Sequence, residues 1–166
     1  PASGEGYESA VIYALAEELG YSADNVQWVR ATFDSSITPG AKDWDLNIQQ
    51  FSITDERKNA VDFTSPYYTT TSAIITVLAL QTGRVDAIVV DLPTAFYMVS
   101  AQIDDGVIIG QFDDTTGGEE YGIVLPKGSK LTPTVSAAVD RLASSGKLAE
   151  LQEKWLNEAQ NVPILK

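Results

Sequence analysis

The segment QQFSITDERKNAVDFTSPYY, Gln49 to Tyr68, places a hydroxyl group, Ser52, five residues before a guanidinium group, Arg57. Ser52 and Asp55 have the spacing of a helix-capping box, which predicts that a strand ends near this point and a helix begins at Ser52. In open α/β sheets, ligands bind at the carboxyl ends of strands. The segment therefore predicts a ligand site that contains an arginine.

The groups of this segment suit a ligand that carries a negatively charged carboxylate and a positively charged ammonium group. Arg57 has a planar fork of donors that can hold a carboxylate through two parallel hydrogen bonds, and a helix start adds unpaired backbone N–H groups. Ser52 and the backbone carbonyl of Gln50 are acceptors that an ammonium group can use. The segment can thus grip an α-amino acid. The simpler alternative is that Ser52 only caps a helix and Arg57 is a surface charge.

Two further residues are candidates for ligand contacts. Asp91 follows the apolar run Val85–Val90, which predicts a buried strand, and its carboxylate could either cap the next helix or meet a ligand ammonium group. Phe33 ends the segment NVQWVRATF, whose alternation predicts another strand. An aromatic residue at this place is either part of the core or a cover for a ligand side chain.

Composition excludes several classes of function. The net charge is −12 with only 11 Lys and Arg residues, so no basic stripe is available for nucleic acid. The chain has no cysteine and no histidine, which excludes Cys/His zinc sites, thiol nucleophiles and histidine triads. The acidic pairs lack the spacing of a calcium loop, and no phosphate-binding motif is present. We therefore predict no metal, no cofactor and no nucleic-acid partner.

Strands and helices alternate along the sequence, which favours an α/β class. Apolar spacing predicts a first helix that ends at Gly20, and Pro133 favours a helix start at Thr132. The other predicted elements are a strand through Leu46 and Ile48, an extended segment that breaks at Pro66, strands in TTSAIITV, GVIIGQF and YGIVLPKGS, the end of a helix before Gly83, a helix from Asp91 and a last helix with Leu148, Leu151 and Trp155.

Four blocks in this order resemble the extracellular solute-binding proteins of family 3, the polar amino-acid receptors of ABC importers. The blocks are GYESAVIYALAEELGY, QFSITDERKNAVDFTSPYY, LQTGRVDAIVVDLPTA and GIVLPKGSKL followed by VDRLASSGKLAELQEKW. The resemblance implies a periplasmic-binding-protein-like type II fold, with two α/β lobes joined by two crossing strands, here SAIITV and EEYGIVLP. Lobe one would comprise residues 1–76 and 119–166, and lobe two residues 77–118.

The resemblance also implies a role for each candidate residue. Arg57 would bind the ligand α-carboxylate, while Ser52 and the carbonyl of Gln50 would help to hold the α-amino group. Asp91 would complete the ammonium site from the second lobe, and Phe33 would form a wall of the pocket. The chain would then act as a monomer that passes its amino acid to the permease of an ABC transporter.

The sequence departs from the family pattern at two places. The family has a strand ahead of the first helix, and it has a further strand and helix where Val77 is here followed directly by Leu78. A second lobe of about 40 residues without a disulfide or metal rarely folds alone. We therefore expect lobe two to be incomplete in this sequence, and the natural chain to contain further residues at this junction.

The resemblance implies a location outside the cytoplasm, in a periplasm or as a lipoprotein on the cell surface. The beginning PASGEGYE is typical of the middle of a loop, so we expect that a signal peptide, or a lipid-anchored segment, precedes it. Two alternatives share the fold. One is an enzyme of the cyclohexadienyl or arogenate dehydratase type, and the other is a ligand-sensing module. The absence of a paired acidic site or a histidine favours a receptor that is not an enzyme.

Overall fold

The computed structural model describes residues 5–75, 87–101, 106–112, 118–157 and 162–165. The helices are α1 (Tyr7–Glu18), α2 (Phe33–Ile37), α3 (Asp55–Lys58), α4 (Leu92–Ala101), α5 (Thr132–Ser144) and α6 (Lys147–Gln152), with a 3-10 turn at Ala23–Asn25 and a π-helix at Glu153–Asn157. The strands are β1 (Val61–Thr69), β2 (Ser72–Ile75), β3 (Ile88–Asp91), β4 (Ile108–Phe112), β5 (Glu120–Pro126) and β6 (Ile164–Leu165).

The chain divides into two compact units. Unit 1 comprises residues 1–68 and 120–152, and unit 2 comprises residues 69–119 and 153–166. The lobe boundaries expected from the sequence stay a prediction. No helix in the described ranges is long and apolar enough to cross a membrane.

The helices of unit 1 agree with their sequence patterns. Helix α1 buries Val11 and Leu15, which are four residues apart and therefore share one face. It ends before Gly20, whose φ of 85° is in the left-handed region that glycine adopts without strain. Helix α5 begins at Thr132 with a proline in its first turn, as predicted.

Strands β1 and β5 form the two-stranded sheet of unit 1. The predicted break at Pro66 is wrong, because β1 continues through it to Thr69. Proline has no N–H to donate to a neighbouring strand. An edge strand such as β1, which among the described strands pairs only with β5, tolerates proline where the missing N–H would face away from the partner strand. All of the side chains from Tyr121 to Leu125 in β5 are buried, so this strand is covered on both faces.

Two predicted strands of unit 1 do not form. Residues 26–32, which include most of NVQWVRATF, form no strand, although Val26 and Thr32 are extended, and Phe33 instead begins α2. No ladder joins this stretch to another described segment, and a strand without a partner leaves its backbone groups unpaired. The strand predicted at Leu46 and Ile48 is reduced to a single bridge between Asn47 and Val124.

The predicted helix start at Ser52 is also wrong. Ser52 is extended and forms an antiparallel bridge with Tyr121 of β5. The helix begins at Asp55, and Thr54 caps it, because its hydroxyl oxygen accepts a hydrogen bond from the backbone N–H of Arg57 at 3.2 Å. The pairing of Ser52 with β5 thus goes with a shift of the helix cap by two residues, from Ser52 to Thr54.

Unit 2 is built on a four-stranded sheet in the order β3-β2-β4-β6. Strand β2 pairs antiparallel with β3 and β4, and β4 pairs parallel with β6. Helix α4 covers one face, where the buried residues Leu92 and Ala95 pack with Ala73 of β2. Gly110 allows β6 to approach, since a Cβ there would lie 2.6 Å from Cγ of Leu165.

The prediction that Val85–Val90 forms a buried strand is only partly correct. Strand β3 runs from Ile88 to Asp91, and the side chain of Val89 is 57% exposed. Ile88 and Val90 face the helix, and the alternation of a strand turns Val89 to the opposite face. The predicted end of a helix before Gly83 and the junction of Val77 with Leu78 lie outside the described residues.

Candidate functional site

Arg57 lies in the single turn of α3 and is partly buried. Its Nη1 donates a hydrogen bond to the backbone carbonyl of Ser52 at 3.0 Å. Its Cζ lies 5.4 Å from the centre of the Phe33 ring, within the range of a cation–π contact. These two contacts fix the guanidinium group and use only part of its five N–H donors.

No carboxylate lies within ion-pair distance of Arg57 in the part of the chain that the structure describes. The neighbouring Lys58, by contrast, pairs with Asp55 at 3.1 Å. The two cations of α3 therefore differ: one is neutralised by a neighbour on the surface, and the other is held by a carbonyl and an aromatic ring. A guanidinium group in this setting can bind an anionic ligand by donating hydrogen bonds from its remaining N–H groups.

Phe33 forms part of the wall beside Arg57, although it starts a helix rather than ending a strand. Its ring is 37% exposed and lies 4.7 Å from the ring of Phe51. Phe51 is fully buried and packs with Val61 and Val124. The core therefore supports Phe33 from below, while part of its ring stays open to solvent.

Ser52 and Gln50 flank Phe51, whose side chain anchors this stretch in the core. The carbonyl of Ser52 is engaged by Arg57, and its backbone pairs with Tyr121 of β5. Gln50 is exposed and has a φ of 53°, in the left-handed region that non-glycine residues rarely adopt. The structure thus brings Arg57, Ser52 and Phe33 together, with Gln50 at the adjoining strained turn.

Asp91 belongs to unit 2, where it ends β3 and caps α4. Its Oδ1 accepts a hydrogen bond from the backbone N–H of Thr94 at 2.9 Å. This is the contact that the capping interpretation predicted. It occupies one carboxylate oxygen, and the role of Asp91 in ligand binding stays a prediction.

Glu8 was not among the residues predicted for the site, yet its carboxylate contacts the segment that carries Gln50. Glu8 Oε1 accepts hydrogen bonds from the backbone N–H of Gln50 at 2.7 Å and from the hydroxyl of Tyr67 at 2.5 Å. Burial raises the pKa of Glu8, and the hydrogen bonds from Tyr67 and Gln50 oppose that rise. The available signal was its position three and four residues before Val11 and Ile12, on the apolar face of α1.

The described residues contain no group of acidic side chains that could hold a metal ion. The site instead combines a fixed guanidinium group, exposed backbone and an aromatic wall. These are elements for recognising a small charged molecule by hydrogen bonds and shape.

Comparison with known proteins places the chain in one family. Residues 2–158 match the bacterial extracellular solute-binding proteins, family 3. The chain is 27% identical to the L-arginine-binding protein of Pseudomonas aeruginosa, in an alignment that covers 92% of this chain and 79% of that protein. It is 24% identical to a probable histidine-binding protein of Campylobacter jejuni, over 90% of this chain and 76% of that one.

The alignment with the arginine-binding protein also shows that the chain is short. It extends over 209 positions, whereas 92% of 166 residues is about 153. More than 50 positions of the alignment therefore face a gap in this chain. This agrees with the expectation that the second lobe is incomplete.

Solved structures show the same fold. An ancestral arginine-binding protein bound to arginine matches with a TM-score of 0.66 and 24% identity, over 90% of this chain and 87% of that one. The arginine-, lysine-, histidine-binding protein ArtJ from Geobacillus stearothermophilus matches with a TM-score of 0.63 and 22% identity, over 92% and 86%. The predicted α/β fold of the periplasmic-binding-protein-like type II class is confirmed, and this chain belongs to the family 3 bacterial extracellular solute-binding proteins.

Proposed function

We propose that this protein is an extracytoplasmic receptor that binds an amino acid and delivers it to an ABC transporter. Membership of the solute-binding family supports this role, and relatives are named for arginine, histidine and cystine. The ligand α-carboxylate would bind Arg57. We take L-arginine as the first ligand to test, because several of the similar proteins are named for it.

The observation that carries the proposal is the state of Arg57. Its guanidinium group is held by the Ser52 carbonyl and the Phe33 ring, and it has no carboxylate partner among the described residues. A charge-assisted hydrogen bond contributes about 1.5–3 kcal/mol net. Two such bonds to the ligand carboxylate, with further bonds to the ammonium group, suffice for micromolar affinity, about 8 kcal/mol.

The ammonium group of the ligand would be held by the other predicted residues. The carbonyl of Gln50 accepts no hydrogen bond from the described residues, and Gln50 is exposed and lies two positions before Ser52. Ser52 contributes from the adjoining position. For Asp91 the family resemblance alone supports a contribution from the second lobe.

The partner of the loaded receptor would be the membrane permease of an ABC importer. We propose that the receptor acts as a monomer outside the cytoplasm, reached through a signal peptide and retained in a periplasm or by a lipid anchor. The family is described as extracellular, which supports the location.

Thermal denaturation with each of the twenty amino acids tests the proposal. A specific ligand at 100 times its Kd should add about 2.7 kcal/mol to the free energy of unfolding. Calorimetry with the best ligand then gives the Kd of the wild type and of Arg57→Ala. Loss of two charge-assisted bonds, about 3 kcal/mol, should weaken binding more than 100-fold.

Lys58→Ala is the matched control, because Lys58 lies next to Arg57 but forms an exposed pair with Asp55. Its Kd should stay within about twofold of the wild-type value. Arg57→Lys should bind with intermediate affinity, since it keeps the charge and loses the fork. A wild-type protein that responds to no amino acid would contradict the proposal. Formation of aromatic product from arogenate or prephenate would instead favour the dehydratase alternative.

A further inference from the structure

The Glu8 carboxylate joins three segments of unit 1. It lies in the first turn of α1, and its Oε1 accepts a hydrogen bond from the hydroxyl of Tyr67 in β1. The same oxygen accepts the backbone N–H of Gln50 at 2.7 Å. The hydroxyl of Tyr7 in turn donates to the backbone carbonyl of Tyr67 at 2.9 Å, which fixes the strand beside the carboxylate. One carboxylate oxygen thus links α1, β1 and the segment of Gln50.

The backbone of Gln50 is strained at this contact. Its φ of 53° is the only positive φ of a non-glycine residue within the described ranges. Such a conformation persists only where surrounding contacts enforce it, and it is found preferentially at functional sites. The hydrogen bond that the Gln50 N–H donates to Glu8 and the buried ring of the next residue, Phe51, are the contacts that enforce it here.

The direction of the Gln50 carbonyl, which lies in the peptide plane after its N–H, follows from this φ and from the anchored Phe51. The N–H of Gln50 points to the Glu8 carboxylate in the protein, and no described residue donates to the Gln50 carbonyl. If Gln50 relaxed to an ordinary negative φ, the peptide plane would turn and its carbonyl would leave its present direction. Glu8 therefore acts on the orientation of an acceptor two residues before Ser52, whose carbonyl binds Arg57.

We infer that Glu8 is a positioning residue of the ligand site: it holds the backbone N–H of Gln50, and together with the anchored Phe51 this fixes the φ of Gln50, so that the Gln50 carbonyl in the next peptide plane is preorganised to accept a hydrogen bond from the ligand ammonium group. This inference rests on the proposed function, because it assigns the ligand an ammonium group. Preorganisation of an acceptor strengthens binding by lowering the ordering cost of the bound state. Glu8 itself contacts the ligand only through Gln50.

The test compares four variants by calorimetry with L-arginine, or with the amino acid that gives the largest thermal shift. Glu8→Ala removes the acceptor and should weaken binding at least tenfold. Glu8→Gln keeps an oxygen that accepts both bonds and should stay within threefold of wild type. Glu8→Asp keeps the charge but shortens the side chain by about 1.5 Å, so it should weaken binding as Glu8→Ala does.

Tyr67→Phe separates positioning from stability. It removes the hydroxyl bond to Glu8 and leaves the Gln50 contact, so it should lower the melting temperature with less than a threefold change in Kd. The amide proton of Gln50 supplies a spectroscopic readout, since a carboxylate acceptor shifts it downfield in the proton–nitrogen spectrum. This shift should disappear in Glu8→Ala and stay in Tyr67→Phe.

The outcomes separate the two proposals. A wild-type protein without affinity for any amino acid overturns the proposed function, and the inference with it. A wild type that binds while Glu8→Ala and Glu8→Asp bind equally well overturns only the inference. So does a series in which affinity simply follows melting temperature, with Tyr67→Phe as weak as Glu8→Ala. If Glu8→Ala does not fold, the contrast between Glu8→Asp and Glu8→Gln decides.

Discussion

Strands β5 of unit 1 and β3 of unit 2 have similar sequences and different surroundings. Both contain continuous apolar runs, YGIVL in β5 and IVV in β3, which are typical of strands covered on both faces. In β5 the side chains from Tyr121 to Leu125 are all buried. In β3, Val89 is more than half exposed, while Ile88 and Val90 on the other face pack against α4.

The difference shows that an apolar strand sequence indicates that the strand suits burial on both faces. Whether both faces are buried depends on which other segments of the chain pack against them. In β4 of unit 2 the residue Ile109 is likewise 47% exposed. Among the described residues, no segment covers the apolar sheet face that carries Val89 and Ile109. This is consistent with a chain that lacks residues which its relatives have inside the matched region. Unit 1, by contrast, has a core that supports the candidate ligand site.

Replacement of Phe51 should give the largest loss of stability. Phe51→Ala removes a fully buried ring, so we expect the free energy of unfolding to fall by about 3–5 kcal/mol. Phe33 would lose its support at 4.7 Å, and amino-acid affinity should fall with it. Urea denaturation followed by tryptophan fluorescence measures the effect, because Trp44 packs beside Phe51. Phe112→Ala, at a site already 37% exposed, is the control; equal losses would contradict the deep core of unit 1.

Replacement of Leu92 tests the smaller core of unit 2. Leu92 is fully buried, and the other fully buried residues described with it, Ala73 and Ala95, are too small to fill a cavity. Leu92→Ala should therefore cost about 2–5 kcal/mol. Hydrogen exchange of the backbone amides of β2 and β3 should accelerate accordingly. Leu131→Ala removes an exposed leucine of unit 1 and should change little. Unaltered exchange in β2 would mean that Leu92 does not hold the sheet.

Replacement of Asp62 tests an electrostatic contact of unit 1. Asp62 accepts hydrogen bonds from Gly128 N–H at 3.0 Å and the Thr132 hydroxyl at 3.1 Å, and it pairs with Lys127. Burial alone would raise the pKa of Asp62, but the bonds from Lys127, Thr132 and Gly128 outweigh it and lower the pKa. Asp62→Asn should cost about 1–3 kcal/mol at neutral pH.

The pH dependence of the Asp62 contribution follows from the sign of this shift. A lowered pKa in the folded state means that the contribution is present above the unfolded pKa, about 3.9 for Asp. It is lost as the pH falls through the folded pKa. Urea denaturation at a series of pH values should show wild type and Asp62→Asn converging in acid. A constant difference down to the lowest pH would contradict the assigned ion pair.

A pair of valine-to-threonine substitutions gives the smallest effect and compares the two strands directly. Val89→Thr in β3 should change the free energy of unfolding by less than about 0.5 kcal/mol, because the site is exposed. Val124→Thr in β5 places the same hydroxyl in a fully buried site and should cost about 1–3 kcal/mol. Urea denaturation of both variants measures the difference. A similar cost at Val89 would show that this face is covered in solution.

Local patterns predicted several elements of the fold correctly. The helix at Tyr7–Glu18, its end before Gly20 and the helix from Thr132 follow from apolar spacing, glycine and proline, which act within one or two turns. The helix start at Ser52 failed for a specific reason. Ser52 and Thr54 are both good caps, and the bridge of Ser52 with Tyr121, which lies far away in sequence, selects between them.

The sequence by itself determined the family, which matches over residues 2–158, and it predicts that Arg57 binds the ligand carboxylate. Only the tertiary structure decided that Phe33 lies under this guanidinium group, and that Glu8 binds the Gln50 peptide 42 positions away. The physical reason is the separation along the sequence over which each kind of interaction acts. Helix periodicity and caps act between near neighbours, whereas these contacts exist only after the core has brought distant segments together.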